Sequence, residues 1–378
     1  MKIATVLGAR PQFIKAASVS RAIAEHNAST PNSQSKIHEI IVHTGQHFDA
    51  NMSDIFFDEM QIPRPDYKLD VNSLGHGAMT GRMLEQIEAI LLKEEPDTLM
   101  VYGDTNSTLA GALAAKKLHI KVAHIEAGLR SFNMNMPEEI NRILTDRISD
   151  LLFCPTDTAL QNLDREGFST FPSRIVKSGD VMQDAAIFYR DIAAQKSDVV
   201  SRIGLAGKSF ALCTIHRAEN TDAPERLQAI MAALNKIAGE MKIILPLHPR
   251  TRKVMEARGL DSRCTIIDPV GYFDMIQLLE HTCIVLTDSG GLQKEAFFFS
   301  KPCVTLRNET EWVELLDGGY NTLAGANSEQ IVAGFSKMLS ATPDYHRNLY
   351  GGGKASQSIV SAMADYEMAK RLTYPTTN

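Results

Sequence analysis

At 378 residues and 41.7 kDa the chain exceeds one ordinary domain, fits two or three, and is long enough to bury a sizeable core. A hydrophobic content of 44%, a charged content of 22%, 24 Gly and 15 Pro exclude collagen, coiled coil, disulfide scaffold and wholesale disorder. The formal charge of -6, from 39 basic and 45 acidic residues with a pI near 6.0, argues against a general polyanion binder such as a nucleic-acid protein, so any anionic ligand has to be met by a local cluster.

Short β-branched or apolar runs alternate with longer helical patterns along almost the whole chain, which is the signature of βαβ units and a parallel sheet. The first half predicts strands at Lys2–Leu7, His38–His43, Thr98–Tyr102, Lys121–Ile125, Leu151–Cys154 and Arg174–Lys177. Helices are expected between them at Pro11–His26, Gly77–Lys93, Thr105–Lys117, Pro137–Ser149 and Asp157–Glu166, with Pro11 suited to a helix first turn. The stretch Asn27 to Ser35, rich in Asn, Ser, Thr and Pro, reads as a surface loop. The run Ile3 to Leu7 is too brief for a signal-peptide core, and no apolar run reaches membrane-spanning length.

A second series begins after Gly179: helix Val181–Gln195, strand Phe210–Ile215, helix Pro224–Gly239, and strands Lys242–Leu247 and Cys264–Ile267. It continues with helix Tyr272–His281, strand Cys283–Thr287, helix Leu292–Ser300, strand Cys303–Leu306 and a helical region from Ser328 to the C-terminus. The economical reading is an α/β chain of two doubly wound, Rossmann-like domains with an interdomain cleft. They are placed at 1–180 and 181–355, and a helix over 356–378 is expected to return to the N-terminal domain. The five cysteines, Cys154, Cys213, Cys264, Cys283 and Cys303, are widely separated and form no Cys-x-x-Cys pair, which indicates neither a disulfide framework nor a zinc knuckle and fits a reducing cytoplasm.

In doubly wound sheets ligands bind outside the carboxyl ends of the strands, so chemistry is sought in the residues that follow each strand. After the first strand come Gly8-Ala9-Arg10-Pro11-Gln12, with Lys15 one helical turn further; after the second, His43-Thr44-Gly45-Gln46-His47. Gly103-Asp104-Thr105 follows the third, and Glu126-Ala127-Gly128-Leu129-Arg130 the fourth. Asp104 either caps the next helix or faces the strand-end cleft; Glu126 or Arg130 is either a surface salt bridge or part of the site. Burial of Glu126 would raise its pKa toward a useful acid or base. Pro137-Glu138-Glu139 opens a helix, where one Glu complements the helix dipole and the other is left for function.

The second half supplies complementary groups. Thr287-Asp288-Ser289-Gly290-Gly291 follows a strand and opens a helix, presenting backbone N–H groups to an anion, with Glu295 placed to bind a ribose diol. His216-Arg217 and His248-Pro249-Arg250, after neighbouring strands, add donors suited to a diphosphate, and Arg307 is a further cation at the same edge. Neither Gly-x-Gly-x-x-Gly in the first βα turn nor Gly-x-x-x-x-Gly-Lys-Ser/Thr occurs, and no His/Cys/Asp grouping has a metal-ligand spacing. A nucleotide sugar fits this set of groups.

Together these blocks resemble the non-hydrolysing UDP-N-acetylglucosamine 2-epimerase family, whose fold is similar to two-domain nucleotide-sugar glycosyltransferases. The resemblance runs along nearly the whole chain. It rests on Gly8-Ala9-Arg10-Pro11 with Lys15, Gln46-His47, Gly103-Asp104-Thr105, His124 to Arg130, Pro137-Glu138-Glu139 with Asn141-Arg142, His216-Arg217, Asp288-Ser289-Gly290-Gly291 with Gln293 and Glu295, and Arg307 with Thr310-Glu311. It implies inversion at C2 of a UDP-2-acetamido sugar by elimination and re-addition of UDP through a glycal, with no oxidising cofactor and no metal. It also implies Asp104, Glu126 and Glu138 as acid/base carboxylates, Lys15 as a catalytic-site cation, His216 as a catalytic residue near the diphosphate, and Arg10 near the diphosphate as well. Ser289, Gly290, Gly291 and Glu295 would hold diphosphate and ribose, with Gln46, Arg142, Arg217 and Arg307 as further substrate contacts.

The chain departs from many bacterial members at Trp312-Val313, where an Arg-Pro pair is usual, and at Asp49, where a longer polar side chain often helps bind a second, activating UDP-N-acetylglucosamine. His43 to Met52 and Phe132 to Pro137 resemble the branch acting on UDP-2,3-diacetamido-2,3-dideoxyglucuronate, whose substrate adds a carboxylate at C6 and an amide at C3. The resemblance further implies a cytoplasmic homodimer serving surface polysaccharide or lipopolysaccharide (O-antigen) precursors, with a UDP-sugar as partner and no nucleic acid or membrane. Two other classes share parts of the pattern: a glycosyltransferase with a UDP-sugar donor, which would require an acceptor, and a nucleotide-sugar sensor, which would tolerate amides at Asp104 or Glu126.

Overall fold

The computed structural model describes residues 1–31, 35–46, 57–58 and 60–373, with side chains described as far as 366. The chain divides into two compact units, Met1–Ala185 with the chain from Asn348 onward, and Ala186–Arg347. Each is built on one parallel sheet.

The sheet of the first unit has strands β1 (Lys2–Leu7), β2 (His38–His43), β3 (Tyr67–Lys68), β4 (Thr98–Tyr102), β5 (Lys121–Ile125), β6 (Leu151–Cys154) and β7 (Arg174–Lys177), in the order β3-β2-β1-β4-β5-β6-β7. β1 pairs in parallel with β2 on one side and β4 on the other, so the winding direction reverses between β1 and β4. Central strands read as unbroken apolar runs because helices cover both faces. β4, with the sequence Thr-Leu-Met-Val-Tyr, is buried along its length. The helix Asn106–Lys117 lies close on the sheet because its inner face is Ala110, Gly111, Ala114 and Ala115, and a Cβ on Gly111 would sit 3.3 Å from Val6 and Val101.

The second unit has β8 (Phe210–Thr214), β9 (Lys242–Pro246), β10 (Thr265–Ile267), β11 (Ile284–Thr287), β12 (Cys303–Thr305) and β13 (Asn321–Leu323), ordered β10-β9-β8-β11-β12-β13 and parallel throughout. Here the reversal lies between β8 and β11. Ala211, Cys213, Ile243, Leu245, Leu286 and Val304 interlock with Leu227, Ile230 and Leu234 of the helix Pro224–Ile237 in one buried cluster. Each such fully buried aliphatic side chain contributes about 1.5–3 kcal/mol.

The doubly wound α/β class expected from the alternating pattern is what both sheets show. The helical region from Ser328 onward consists of two helices, Ser328–Leu339 and Ala355–Thr373, because Pro343 and Gly351-Gly352-Gly353 interrupt the repeat. The second of these belongs to the first unit: Asp184 accepts from the N–H groups of Ala355 (3.2 Å) and Ser356 (2.7 Å) and so caps it. β3, β13 and the short helix Pro249–Ala257 were not anticipated. The strands have two and three residues, and the helix sequence Pro-Arg-Thr-Arg-Lys-Val-Met-Glu-Ala is too charged to show an apolar stripe.

Candidate active site

In the first unit, the reversal point brings together Gly8, at the end of β1, and Gly103, at the end of β4. Gly8 must lack a side chain, since a Cβ there would lie 1.9 Å from Ser107 Oγ. Gln12 clasps the two strand ends: its Oε1 accepts from the N–H groups of Gly8 (2.7 Å) and Ala9 (3.1 Å), and its Nε2 donates to the Tyr102 carbonyl (2.6 Å). Gly103 has φ +62, a conformation natural to glycine, and a Cβ there would meet the Glu126 carboxylate at 3.3 Å. Glu126 itself sits at φ +67, a left-handed backbone that costs a non-glycine residue about 1–3 kcal/mol and marks a position held by its surroundings.

Around these ends lies a pocket of about 250 Å³, lined in part by Lys15, Gln46, His76, Asp104, Asn106 and Glu138. Lys15 is ion-paired with the buried carboxylate of Glu126. Asp104, one-third exposed, accepts from Arg142 Nε (3.0 Å) and Nη2 (2.6 Å). The next helix is capped by Thr105, whose hydroxyl accepts from the Thr108 N–H, so the Asp104 carboxylate is not the cap. Glu138 is exposed at the first turn of Pro137–Ile148, whereas Glu139 is fully buried and accepts from the N–H groups of Ser131 and Phe132 and from Arg142 (2.5 Å). Of the two neighbouring glutamates, Glu139 orders the loop and Glu138 faces the pocket.

Gln46 Oε1 accepts from the backbone N–H (2.9 Å) and the hydroxyl (2.8 Å) of Ser107, which ties its loop to the helix start. Arg10, half-buried, is the first residue of its helix. His47, Asp49 and the rest of the block from His47 to Met52 lie outside the described residues.

His76 was not singled out from sequence, and hydrogen bonding fixes its state. Asn141 Nδ2 donates to the Asp104 carbonyl (2.9 Å) and to Asn106 Oδ1 (3.3 Å), so Asn106 presents its NH₂ to His76 Nδ1 (3.2 Å). A ring nitrogen that accepts carries no proton, which leaves the Nε2–H tautomer as a donor in the pocket lining. No residue-type motif announces this, because the three partners come from three segments.

The second unit builds its site on a buried carboxylate. Asp288 accepts from the N–H groups of His216 (3.1 Å) and Arg217 (3.1 Å) and from Asn220 Nδ2 (3.1 Å), and lies 3.1 Å from His216 Nδ1. Burial opposes its charge, but the His216 ring, the Arg217 N–H and the Asn220 amide outweigh that and hold its carboxyl below the usual range. His216 is exposed above it, with 56% of its side chain open. Ser289 caps the helix Gly290–Phe298 by accepting from the Leu292 N–H, and Gly290 and Gly291 form its first turn.

Arg307 is buried and forms a bidentate pair with Glu311 at 3.1 and 3.0 Å; its charge is met inside the unit. Glu295 is buried in the middle of the helix. Trp312 lies over the buried Lys294, whose Nζ is 4.0 Å from the indole centroid. His248 is a helix cap, its Nδ1 accepting from the Arg250 N–H, and Arg250 pairs with Asp222. Among the described residues no cluster of three or more His, Cys, Asp or Glu is arranged to hold a metal ion, and no helix is long and apolar enough to cross a membrane.

Comparison with known proteins gives one consistent result. The family model for UDP-N-acetylglucosamine 2-epimerase matches residues 30–364. A Pseudomonas aeruginosa UDP-2,3-diacetamido-2,3-dideoxy-D-glucuronate 2-epimerase is 58% identical over 366 residues, covering 96% of this chain and 99% of that one. A Methanocaldococcus jannaschii UDP-GlcNAc 2-epimerase, crystallised with UDP-GlcNAc and UDP, superposes with a TM-score of 0.86 at 42% identity, covering 97% of this chain and 100% of that one. The Neisseria meningitidis UDP-GlcNAc 2-epimerase bound to UDP-GlcNAc gives 0.84 at 30% identity over 97% and 100%. Family model and relatives therefore agree: this chain belongs to the UDP-N-acetylglucosamine 2-epimerase family.

Proposed function

We propose that the chain inverts C2 of a UDP-2-acetamido sugar, and that the sugar is UDP-2,3-diacetamido-2,3-dideoxyglucuronate. The observation that carries the reaction is the set of carboxylates Asp104, Glu126 and Glu138 at the ends of β4 and β5 and the start of Pro137–Ile148. The relative at 58% identity carries the choice of sugar.

C2–H lies next to no carbonyl and is too weakly acidic to leave a simple carbanion. Loss of UDP from C1 as the proton leaves C2 puts the electron pair into a C1=C2 double bond and the charge on the departing diphosphate. UDP then re-adds at C1 while a proton is delivered to the opposite face of C2. Carbon is neither oxidised nor reduced overall. Two protonic groups are needed, one for each face, and Asp104 and Glu126 are the pair assigned to them, with Glu138 at the pocket rim as the third acid.

Lys15 pairs with Glu126 and Arg142 with Asp104, so each reacting carboxylate is held in place by a cation. Arg142 acts by holding Asp104, and Gln46 by holding the loop at Ser107. In the second unit, Ser289, Gly290 and Gly291 offer helix N-terminal N–H groups to the diphosphate, with His216 and Arg217 as further donors and Glu295 for the ribose; in the first unit Arg10 is a further substrate cation. Arg307 keeps Glu311 beside Gly290, where a Cβ would be 3.4 Å from the Glu311 carboxylate.

The same reading places the enzyme in the cytoplasm, supplying surface-polysaccharide precursors of the lipopolysaccharide type, as a homodimer. The dimer is supported by Phe132, Met134, Ile140 and Leu144, large apolar side chains exposed on one helix and the loop before it. The test is to incubate the protein separately with UDP-GlcNAc and the diacetamido-uronate and to follow the C2 epimers. Turnover of the uronate well above that of UDP-GlcNAc supports the reading; equal failure on both contradicts it.

A further inference from the structure

His124, the first residue of the block His124 to Arg130, points neither ring nitrogen at a donor. Nδ1 lies 2.7 Å from Asp146 Oδ1 and Nε2 lies 2.7 Å from the carbonyl oxygen of Gly103. A carbonyl oxygen can only accept. The Asp146 carboxylate also acts as an acceptor, because its second oxygen takes N–H groups from Arg130 (2.7 Å) and from the Gly128 backbone (3.1 Å). Burial opposes the charge of Asp146, yet His124 and Arg130 outweigh it and hold its carboxyl below the usual range.

A neutral ring would set one lone pair against an acceptor at 2.7 Å, with no water to relieve it, since His124 and Asp146 are fully buried. We infer that His124 is an imidazolium that donates from both ring nitrogens, and that it is a positioning residue for the two reacting carboxylates.

The charges close locally. Arg130 also forms a bidentate pair with Glu166 at 2.7 and 2.8 Å, so two cations, His124 and Arg130, are matched by two anions, Asp146 and Glu166. From the neighbouring strand β6, the Cys154 thiol is pushed up by burial and stays neutral. The charged groups that follow Gly103 and His124 in the chain are Asp104, paired with Arg142, and Glu126, paired with Lys15. A buried pair network of this kind is costly to break, because removing one partner strands the other.

Its position gives it a role. Gly103 is gripped at both backbone atoms, its N–H donating to the Ile125 carbonyl (2.9 Å) and its carbonyl accepting from His124. Asp104 follows Gly103 directly, and Glu126 is two residues beyond His124 with its carboxylate against Gly103. One ring therefore sets the end of β4 and the end of β5 relative to each other, within the first unit. The ring is fully buried and acts through these neighbours.

The inference rests on the assignment of Asp104 and Glu126 as the reacting groups, and its test has one arm that does not. In the full chain labelled with ¹⁵N-histidine, at about pH 8, where an ordinary histidine is neutral, one slowly exchanging ring should show protons on both nitrogens. A buried ring with one bare nitrogen would overturn the inference whatever the enzyme does. In the second arm, His124→Gln should lower kcat by about 100-fold, the scale of a 1 Å misplacement, while KM stays within about threefold. A folded His124→Gln enzyme with unchanged kcat would overturn the positioning role even with the ring doubly protonated.

Discussion

At the β1/β4 junction of the first unit, charge resides on side chains that answer one another: Lys15 with Glu126, Arg142 with Asp104 and Glu139. At the β8/β11 junction of the second unit, the buried carboxylate Asp288 faces inward and orders the turn from His216 to Asn220, while the groups left toward solvent are His216 and the start of the helix Gly290–Phe298. Two sheets of the same winding thus serve different ends. Paired side chains fix where each carboxylate points, which suits proton transfer; ordered backbone N–H groups set a field without titrating, which suits a diphosphate.

The sharpest way to break this contrast is to neutralise one carboxylate in the first unit. Glu126→Gln or Asp104→Asn should lower kcat by about 10²–10⁴-fold and leave UDP affinity nearly unchanged, read by product NMR and calorimetry. A large loss of UDP binding instead would erase the division of labour. Next in size is Gly8→Ala, whose Cβ has no room beside Ser107 Oγ; it should cost about 1–3 kcal/mol in denaturant unfolding.

In the second unit, Asp288→Asn should cost about 1–3 kcal/mol at neutral pH and weaken UDP binding by disordering the His216 turn. The pH sign follows from its lowered carboxyl: its stabilisation is complete above the ordinary aspartate pKa and is lost as pH falls toward the lower folded value, so the variant should lack that acid limb. Smaller still, Ser289→Ala should remove about 1 kcal/mol as a lost cap, visible as a modest fall in Tm. Smallest is Lys121→Met, at the far end of β5, which removes a half-exposed pair with Asp150 and should change stability by less than about 1 kcal/mol.

Much of this was legible because parallel strands buried on both faces are short apolar runs with sharp ends. β1, β2, β4, β5, β6 and β7 have the bounds that their sequences suggest. The rule that ligands meet the carboxyl ends of parallel strands points to Asp104, Glu126, His216 and Ser289 from sequence alone. What sequence hid was pairing. Nothing local shows that Glu139 rather than Glu138 turns inward, that Arg307 is used up by Glu311, or that Thr105 rather than Asp104 caps its helix. The roles of His76 and His124 are hidden for the same reason: a histidine's hydrogen bonding depends on partners distant in the chain, here Asn106 and Asp146.

The most direct test of the central claim is proton NMR of the UDP-diacetamido-uronate with the enzyme in heavy water. The account predicts deuterium at C2 of both epimers with no acceptor present, and its loss in Glu126→Gln. Epimerisation without deuterium at C2, or exchange undiminished in Glu126→Gln, would contradict it.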